Sequence, residues 1–292
     1  MRGAEKSAMK IRGKAIFSGL CFFLAAVIIW TAWGNRALEL NEYKITSGEL
    51  PEGFHGYRIA HVSDLHNAEF GEKNEKLLDM LRDADPDLIA ITGDMIDSRN
   101  TEVDVALQFA ENAMKIAPCY YVPGNHEARV TEYDILREGL QQLGVQVLEE
   151  ERILLEKDGE AISLLGVRDP SFQTNYLNGE EESIMNSWLS GLRTETDSYT
   201  ILLSHRPELF SVYAEQEMNF VLSGHAHGGQ FRLPLVGGLV APNQGFFPEY
   251  DSGVYTEHGT SMVVSHGIGN SLFPFRFNNR PEVILIELRA EK

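Results

Sequence analysis

A chain of 292 residues, 43% hydrophobic and 10% aromatic, can bury a full core, which excludes a disordered or low-complexity protein. The formal charge is −18, and so acidic a chain repels phosphate backbones, so no nucleic-acid partner is expected. Two cysteines, Cys21 and Cys119, cannot build a disulfide framework and leave the compartment unread.

The first predicted segment, residues 1–14, is a basic tail with Arg2, Lys6, Lys10, Arg12 and Lys14 against Glu5. It precedes AIFSGLCFFLAAVIIWTAWG, residues 15–34, which lacks any charge and is long enough to cross a bilayer as a helix. Trp30 and Trp33 sit at its far end, where interfacial aromatics belong. A signal anchor is the favoured reading; cleavage near Ala32 to Gly34 stays open, although the apolar region of a signal peptide is usually shorter. Beyond the span the next ten residues hold Arg36 and Lys44 against Glu39 and Glu42. The excess of cations before the span keeps the tail cytoplasmic and predicts an extracytoplasmic body. With five cations and one anion in the tail and none in the span, the body carries −22 of the total −18. Residues 35–56 read as a juxtamembrane connector ahead of one domain over 57–292.

Within that domain, short apolar or β-branched runs end abruptly in small and polar residues: YRIAHVSDLH, PDLIAITGDMID, PCYYVPGNHE, YTILLSHRPE and NFVLSGHAHGGQ. Each reads as a buried strand entering a loop. Helical periodicity lies between several of them, at Asn74–Arg82, Val103–Lys115 and Tyr133–Leu143. Alternating strands and helices predict an α/β fold with parallel neighbours, whose ligands gather at the carboxyl ends of the strands. Further strands are expected at AISLLGVRD, TSMVVSHGIGN and PEVILIELR, and a long loop at Leu233–Tyr250.

The five strand ends supply Asp64, His66, Asp94, Asn125, His126, His205, His225 and His227. Any one of them alone is as well explained by capping or by a satisfied core imidazole. Oxygen or imidazole donors at all five ends together point to a metal. Carboxylate, amide oxygen and imidazole suit Mn, Fe or Zn better than calcium, and the lack of cysteine donors argues against a structural zinc site.

In order and spacing, DLH, GDMID, GNHE, SH and GHAHGG resemble the calcineurin-like metallophosphoesterase superfamily, from about Arg58 to Leu288. The flanking LPEGFHGYRIAHVSDLH, GGQFRLP and PEVILIEL resemble its single-pass, membrane-anchored bacterial branch. The resemblance implies two mixed β-sheets packed between helices, an αββα sandwich. It also implies two divalent metals, one held by Asp64, His66 and His227, the other by Asn125, His205 and His225, with Asp94 bridging. Two cations about 3.5–4 Å apart can acidify a shared water to a bridging hydroxide nucleophile and spread the charge of an in-line displacement. Asn125 and His126 would face the phosphate, with His126 protonating the leaving alkoxide or stabilising phosphoryl charge; that catalytic role is favoured over one of supporting the residues around the metals. Glu127, where many relatives have Asp, could orient an imidazole. Asp97 is expected to cap the next helix in preference to supporting the site, the alternative, and His55, His61, His258 and His266 are read as structural.

The leading functional reading is hydrolysis of phosphate esters, phosphodiesters first, at the membrane surface, with a lipid or cell-envelope polymer as the class of substrate. An alternative is a pyrophosphohydrolase of a nucleotide-linked lipid precursor, which would require a cytoplasmic face. A non-catalytic metal-binding scaffold is disfavoured because a decayed site tends to lose ligands. Phe246, Phe247, Phe273, Phe275 and Phe277 offer an apolar rim for a lipid tail or for the bilayer itself; packing against their own domain is the competing expectation.

Overall fold

In the computed structural model, residues 2–173, 179–193, 199–271 and 273–291 are described, with side chains from residue 12 onward. The side chains of Arg2, Lys6 and Lys10 in the basic tail, and Leu272 in the second aromatic loop, lie outside these described residues. Helix α1 (Arg2–Gly34) contains the whole apolar span. Its stretch Arg12–Gly34 is long and apolar enough to cross a membrane, and none of it is buried against the body.

The body is built of two six-stranded mixed sheets. The first contains β1 (Glu39–Ser47), β2 (Arg58–Val62), β3 (Leu88–Thr92), β4 (Cys119–Val122) and β5 (Gln146–Val147). The second contains β6 (Glu151–Lys157), β7 (Glu160–Gly166), β8 (Thr200–Leu203) and β9 (Phe220–Ser223). Four two-residue strands follow in the predicted long loop: β10 (Arg232–Leu233), β11 (Gly237–Gly238), β12 (Val240–Ala241) and β13 (Gly245–Phe246). The chain then adds β14 (Gly253–Glu257) and β15 (Thr260–Val264) to the second sheet and returns to the first with β16 (Glu282–Ala290). The strand orders are β1-β16-β2-β3-β4-β5 and β14-β15-β9-β8-β7-β6.

Strands β2, β3, β4, β8 and β9 are short, apolar and parallel to their sequence-order neighbours, as expected of strands covered on both faces. Between the sheets Ile59, Leu88 and Val122 meet Leu164, Ile201 and Leu222 in one buried cluster. Helices α2 (Glu75–Ala84), α3 (Val103–Ala113) and α4 (Tyr133–Gln142) cover the outer face of the first sheet, and α5 (Glu181–Leu192) and α6 (Phe210–Glu215) that of the second. The result is the expected four-layer αββα order.

The segment expected as a connector is not free chain. Residues 39–47 form β1, which pairs in parallel with β16 from Glu39↔Glu282 to Ser47↔Ala290. The body therefore begins almost at the end of α1, where the Asn35 amide both donates to the Arg276 carbonyl (2.8 Å) and accepts from the Arg276 N–H (2.7 Å).

Candidate metal centre

All five predicted strand-to-loop junctions converge on one buried pocket. Tight turns are needed to point alternate side chains inward immediately after a strand, and the backbone records this. Asp64, His66, Asp94, His225 and His227 all have positive φ, between 45° and 64°, the left-handed region that non-glycine residues occupy mainly in tight turns. Gly93 (φ 88°) is required for a further reason: a Cβ there would lie 2.7 Å from both Gly124 Cα and His205 Nδ1.

Three overlapping groups of donors result, each with its atoms within 4.8 Å of one another: Asp64, His66 and His227; Asp94, His205 and His225; and His66, Asp94 and His126, which shares one member with each of the others. In the first, His66 Nε2 and His227 Nε2 are 3.2 Å apart, and His227 Nε2 lies 3.4 Å from Asp64 Oδ1. In the second, His205 Nε2 is 3.3 Å from Asp94 Oδ2, 3.2 Å from Asn125 Oδ1 and 3.1 Å from His225 Nδ1. Asp94 also approaches the first group, with Oδ2 3.6 Å from His66 Nε2.

The hydrogen bonds around the second group decide what it can hold. His205 Nδ1 donates to the Thr92 carbonyl (2.7 Å), which leaves its Nε2 bare. His225 Nε2 donates to Asn243 Oδ1 (3.3 Å), which leaves its Nδ1 bare. Two imidazole lone pairs, a carboxylate oxygen and an amide oxygen thus converge, and only a cation or a proton relieves them. Burial opposes a charge on His205, yet the adjacent Asp94, with Asp64 and Asp169, raises its pKa to about 10. The pocket draws positive charge into the position a divalent metal suits. Burial holds His66, His225 and His227 well below the ordinary histidine range, so these imidazoles are neutral. Burial likewise pushes Asp64 up to about 6, with neighbouring Asp94 adding to the rise and His205 opposing it.

His126 is buried beside the first two groups, its ring edge-on to His66 at a centroid distance of 4.5 Å. Its Nδ1 accepts from the Ser98 backbone N–H (3.0 Å), so in the neutral ring the proton sits on Nε2. Burial also lowers its pKa, with Asp94 and Asp97 opposing. His126, Asn125, Asp94, His225 and His227 line a cavity of about 220 Å³ whose outer wall includes Arg99, Arg129, Asn243 and Ser271.

Comparison with known proteins agrees with this geometry. The sequence model of the calcineurin-like phosphoesterase family matches residues 57–229, more than half of the chain. The chain belongs to that family. The phosphoesterase is 28% identical over 271 residues to the uncharacterized metallophosphoesterase YkuE of Bacillus subtilis, covering 87% of this chain and 86% of the relative. It is 27% identical to phosphodiesterase YaeI of Escherichia coli over 80% and 82% of the two chains. A transmembrane protein with a metallophosphoesterase domain from Danio rerio is 28% identical over 85% of this chain and 56% of its own length. Among solved structures, TT1561 of Thermus thermophilus shares the fold, with a TM-score of 0.51 at 16% identity over 73% of this chain and 90% of that one. The phosphoesterase is thus a hydrolase of phosphoric esters with an apolar N-terminal helix of membrane-anchor character.

Two expectations about supporting residues change. Glu127 orients no imidazole; its carboxylate accepts the backbone N–H groups of Asp94 (2.8 Å), Gly124 (2.8 Å) and Ile96 (3.2 Å), tying two ligand turns together. Its burial, and then Asp94, push its pKa up to about 8, with those donations opposing. Asp97 does not cap α3, whose N-cap is Glu102; it lies 3.6 Å from His126 Nδ1 and binds Arg99 through two side-chain contacts. His61 and His266 remain outside the centre. His61 bonds Thr92 Oγ1 in the core, and His266 lies beside Glu39 and Glu282, carboxylates already engaged by Arg280 and Asn41.

Sequence reading missed four contributors. Arg206 donates to Asp169 from Nε (2.5 Å) and Nη2 (2.9 Å), fixing the turn that follows His205. Arg276 Nη2 stands 3.3 Å from His227 Nδ1, and Asn243 orients His225. Arg206 was visible in YTILLSHRPE as a buried-strand cation next to a ligand; Asp169, Asn243 and Arg276 lie in loops whose folding back no local pattern announces.

Proposed function

We propose that the phosphoesterase is a two-metal hydrolase of phosphate esters, phosphodiesters first, acting at a membrane surface with its body extracytoplasmic. The observation that carries this is the pair of donor groups meeting at Asp94 beside the Nε2–H of His126. Asp64, His66 and His227 would hold one divalent ion and Asn125, His205 and His225 the other, with Asp94 between them. Mn, Fe or Zn would fit the mixed donors. When bound, the two ions supply an acidified water and Lewis-acid polarisation of the phosphoryl oxygens.

The chain's own residues do the remainder. Asp94 Oδ1 accepts the His126 backbone N–H (2.8 Å), fixing that turn relative to the bridging position. His126 then offers Nε2–H to a phosphoryl or leaving oxygen as charge accumulates there, in a position set before substrate arrives. The Ser98 N–H occupies Nδ1, so a doubly protonated ring would have to break that bond; the arrangement favours a hydrogen-bond donor over the proton-transferring acid that the sequence motif implies.

The decisive experiment is a screen of the metal-reconstituted full chain in detergent against aryl monoesters, aryl diesters and nucleotide-lipid pyrophosphates. Chelator-sensitive turnover highest on diesters is expected. Highest turnover on the pyrophosphate would replace this reading with the lipid-precursor alternative, and no turnover with full metal content would leave a scaffold.

A further inference from the structure

The mouth of the cavity is bordered by two loops that also carry exposed apolar side chains, the three most exposed in the body among them: Leu235, Phe246 and Phe247. Pro242 and Asn243 line the cavity on one side, and three residues on, Phe246 and Phe247 are 81% and 67% exposed. Ser271 lines it on another, followed by the exposed Phe273 and Phe275. Leu235 and Val236, earlier on the first loop, are exposed as well. Isolated exposed apolar residues are ordinary; a contiguous group is not.

These side chains form one surface. The Phe231 ring contacts those of Phe273 (5.1 Å) and Phe275 (5.5 Å). Its carbonyl accepts from Leu239 N–H (2.8 Å), and the Leu239 carbonyl accepts from Phe247 N–H (2.9 Å). The surface also continues into α1. Phe275 is adjacent to Arg276, which is bonded at both backbone groups to Asn35 just past the helix, and Arg280 lies over the Trp33 ring at 5.2 Å. Trp30 and Trp33 mark the helix end at which aromatic residues meet the headgroups, and exposed Arg36 follows them. The apolar loops therefore hang from the point at which the helix leaves the bilayer.

We propose that this aromatic surface seats the catalytic face on the bilayer that α1 crosses, so that the cavity opens at headgroup depth. The inference rests on the phosphoesterase reading for its consequence, though not for the docking itself. At about 220 Å³ the cavity is smaller than the ~300–1,000 Å³ pockets that enclose a whole small ligand, so a larger phosphate ester extends beyond it. The remainder of a substrate lies against the rim, and with the rim in lipid the esters presented there are those carried by membrane lipids. A second copy of the chain or a protein partner would cover the rim but would have no reason to be continuous with the span.

The test reconstitutes the full chain, in a Cys21→Ser background with Cys119 buried, into phosphatidylcholine–phosphatidylglycerol vesicles. An environment-sensitive fluorophore is placed at Phe246→Cys, at Phe275→Cys or, as a control on the exposed face of α4, at Ile135→Cys. Labels at 246 and 275 should be quenched by brominated acyl chains and shielded from aqueous iodide, and the label at 135 the reverse. Equal iodide quenching at all three sites, or shielding at 246 without a response to bromination, overturns the proposal. A second arm compares wild type with the Phe246→Ser/Phe247→Ser double variant. Turnover of soluble bis(p-nitrophenyl) phosphate, whose rings touch the rim only in water, should fall no more than about twofold, while turnover of an acyl-anchored aryl phosphodiester in vesicles should fall roughly tenfold or more, the scale of losing one buried aromatic ring. Equal turnover of the anchored ester overturns the proposal. Absence of any turnover in wild type, with bromine quenching intact, would refute the hydrolase reading and leave the docking standing.

Discussion

His126→Ala isolates the one cavity imidazole that neither proposed metal needs. The ring is buried, its Nδ1 is occupied by the Ser98 N–H at 3.0 Å, and its Nε2–H is the group it can offer. A donor preorganised in this way acts most strongly where charge accumulates, and losing one of this kind costs about 10²–10³ in kcat, or ~3–4 kcal/mol. The variant should retain its metal, keep KM within a few-fold and lose kcat by that factor. The test of role is a series of aryl and alkyl phosphodiesters of graded leaving-group acidity, assayed at saturating metal. A hydrogen bond to a phosphoryl oxygen is needed whatever the leaving group, so the loss should be nearly constant, within about threefold, along the series. A loss that vanishes for nitrophenolate and grows toward alkoxides would mean that His126 transfers a proton, and that the Ser98 bond yields during turnover. A parallel loss of metal would make it a ligand and refute both roles.

Asp94→Asn should weaken metal binding in both donor groups by at least the ~10–100-fold that follows removal of an outer partner, measured as metal retained after dialysis against a chelating resin; full retention would reject the bridge. Asp169→Asn should destabilise the fold by up to about 3–5 kcal/mol in urea unfolding, because buried Arg206 then keeps only the Nη1 contact to Glu208 (3.2 Å) as a counter-charge. Burial opposes the Asp169 charge but Arg206 outweighs it and brings the carboxyl down to about 2, so the pair's stabilisation should be complete above the unfolded value of ~3.9 and fade as pH falls toward 2. A difference between wild type and Asp169→Asn that changes between pH 5 and 8 would contradict that assignment. Protease added to intact cells, with any outer envelope opened, should digest the body and spare a cytoplasmic control; protection until the inner membrane is breached would reverse the orientation.

The ligand loops were legible because each is a local event. A buried run such as LIAIT stops at GD and a run such as FVLS stops at GHAH, so strand, turn and donor fall within ten residues of one another. Strand β1 was not legible for the opposite reason. ELNEYKITS is mostly charged and polar, as a sheet edge can be, and its partner β16 lies some 240 residues later, so no window contains the pair that makes it a strand. The turn-fixing contacts failed in the same way. Asp169 reaches Arg206 across 37 residues and Arg276 reaches His227 across 49, and each would pass as a surface loop residue by local pattern. The aromatic loops were seen as a candidate rim, but their continuity with the span depends on the Asn35–Arg276 pairing, which brings together residues 241 positions apart.

Arg276 gives that pairing its significance. Its guanidinium is buried and directed inward: Nη1 donates to the His266 carbonyl (2.6 Å), Nη2 donates to the Gly269 carbonyl and faces His227, and Nε reaches Asn270 Oδ1 (3.2 Å). Burial lowers its pKa only to about 10, so it stays charged at neutral pH. Four of its five N–H groups are turned to the protein in this way. What it supplies is position, because the same residue whose backbone is clamped by Asn35 at the end of α1 braces one imidazole of the candidate metal centre. Two bonded residues thus separate the apolar helix from an imidazole of the candidate metal centre. An anchor that served only as a tether would not require so short a connection; the proposed seating of the cavity at a fixed height above the bilayer would.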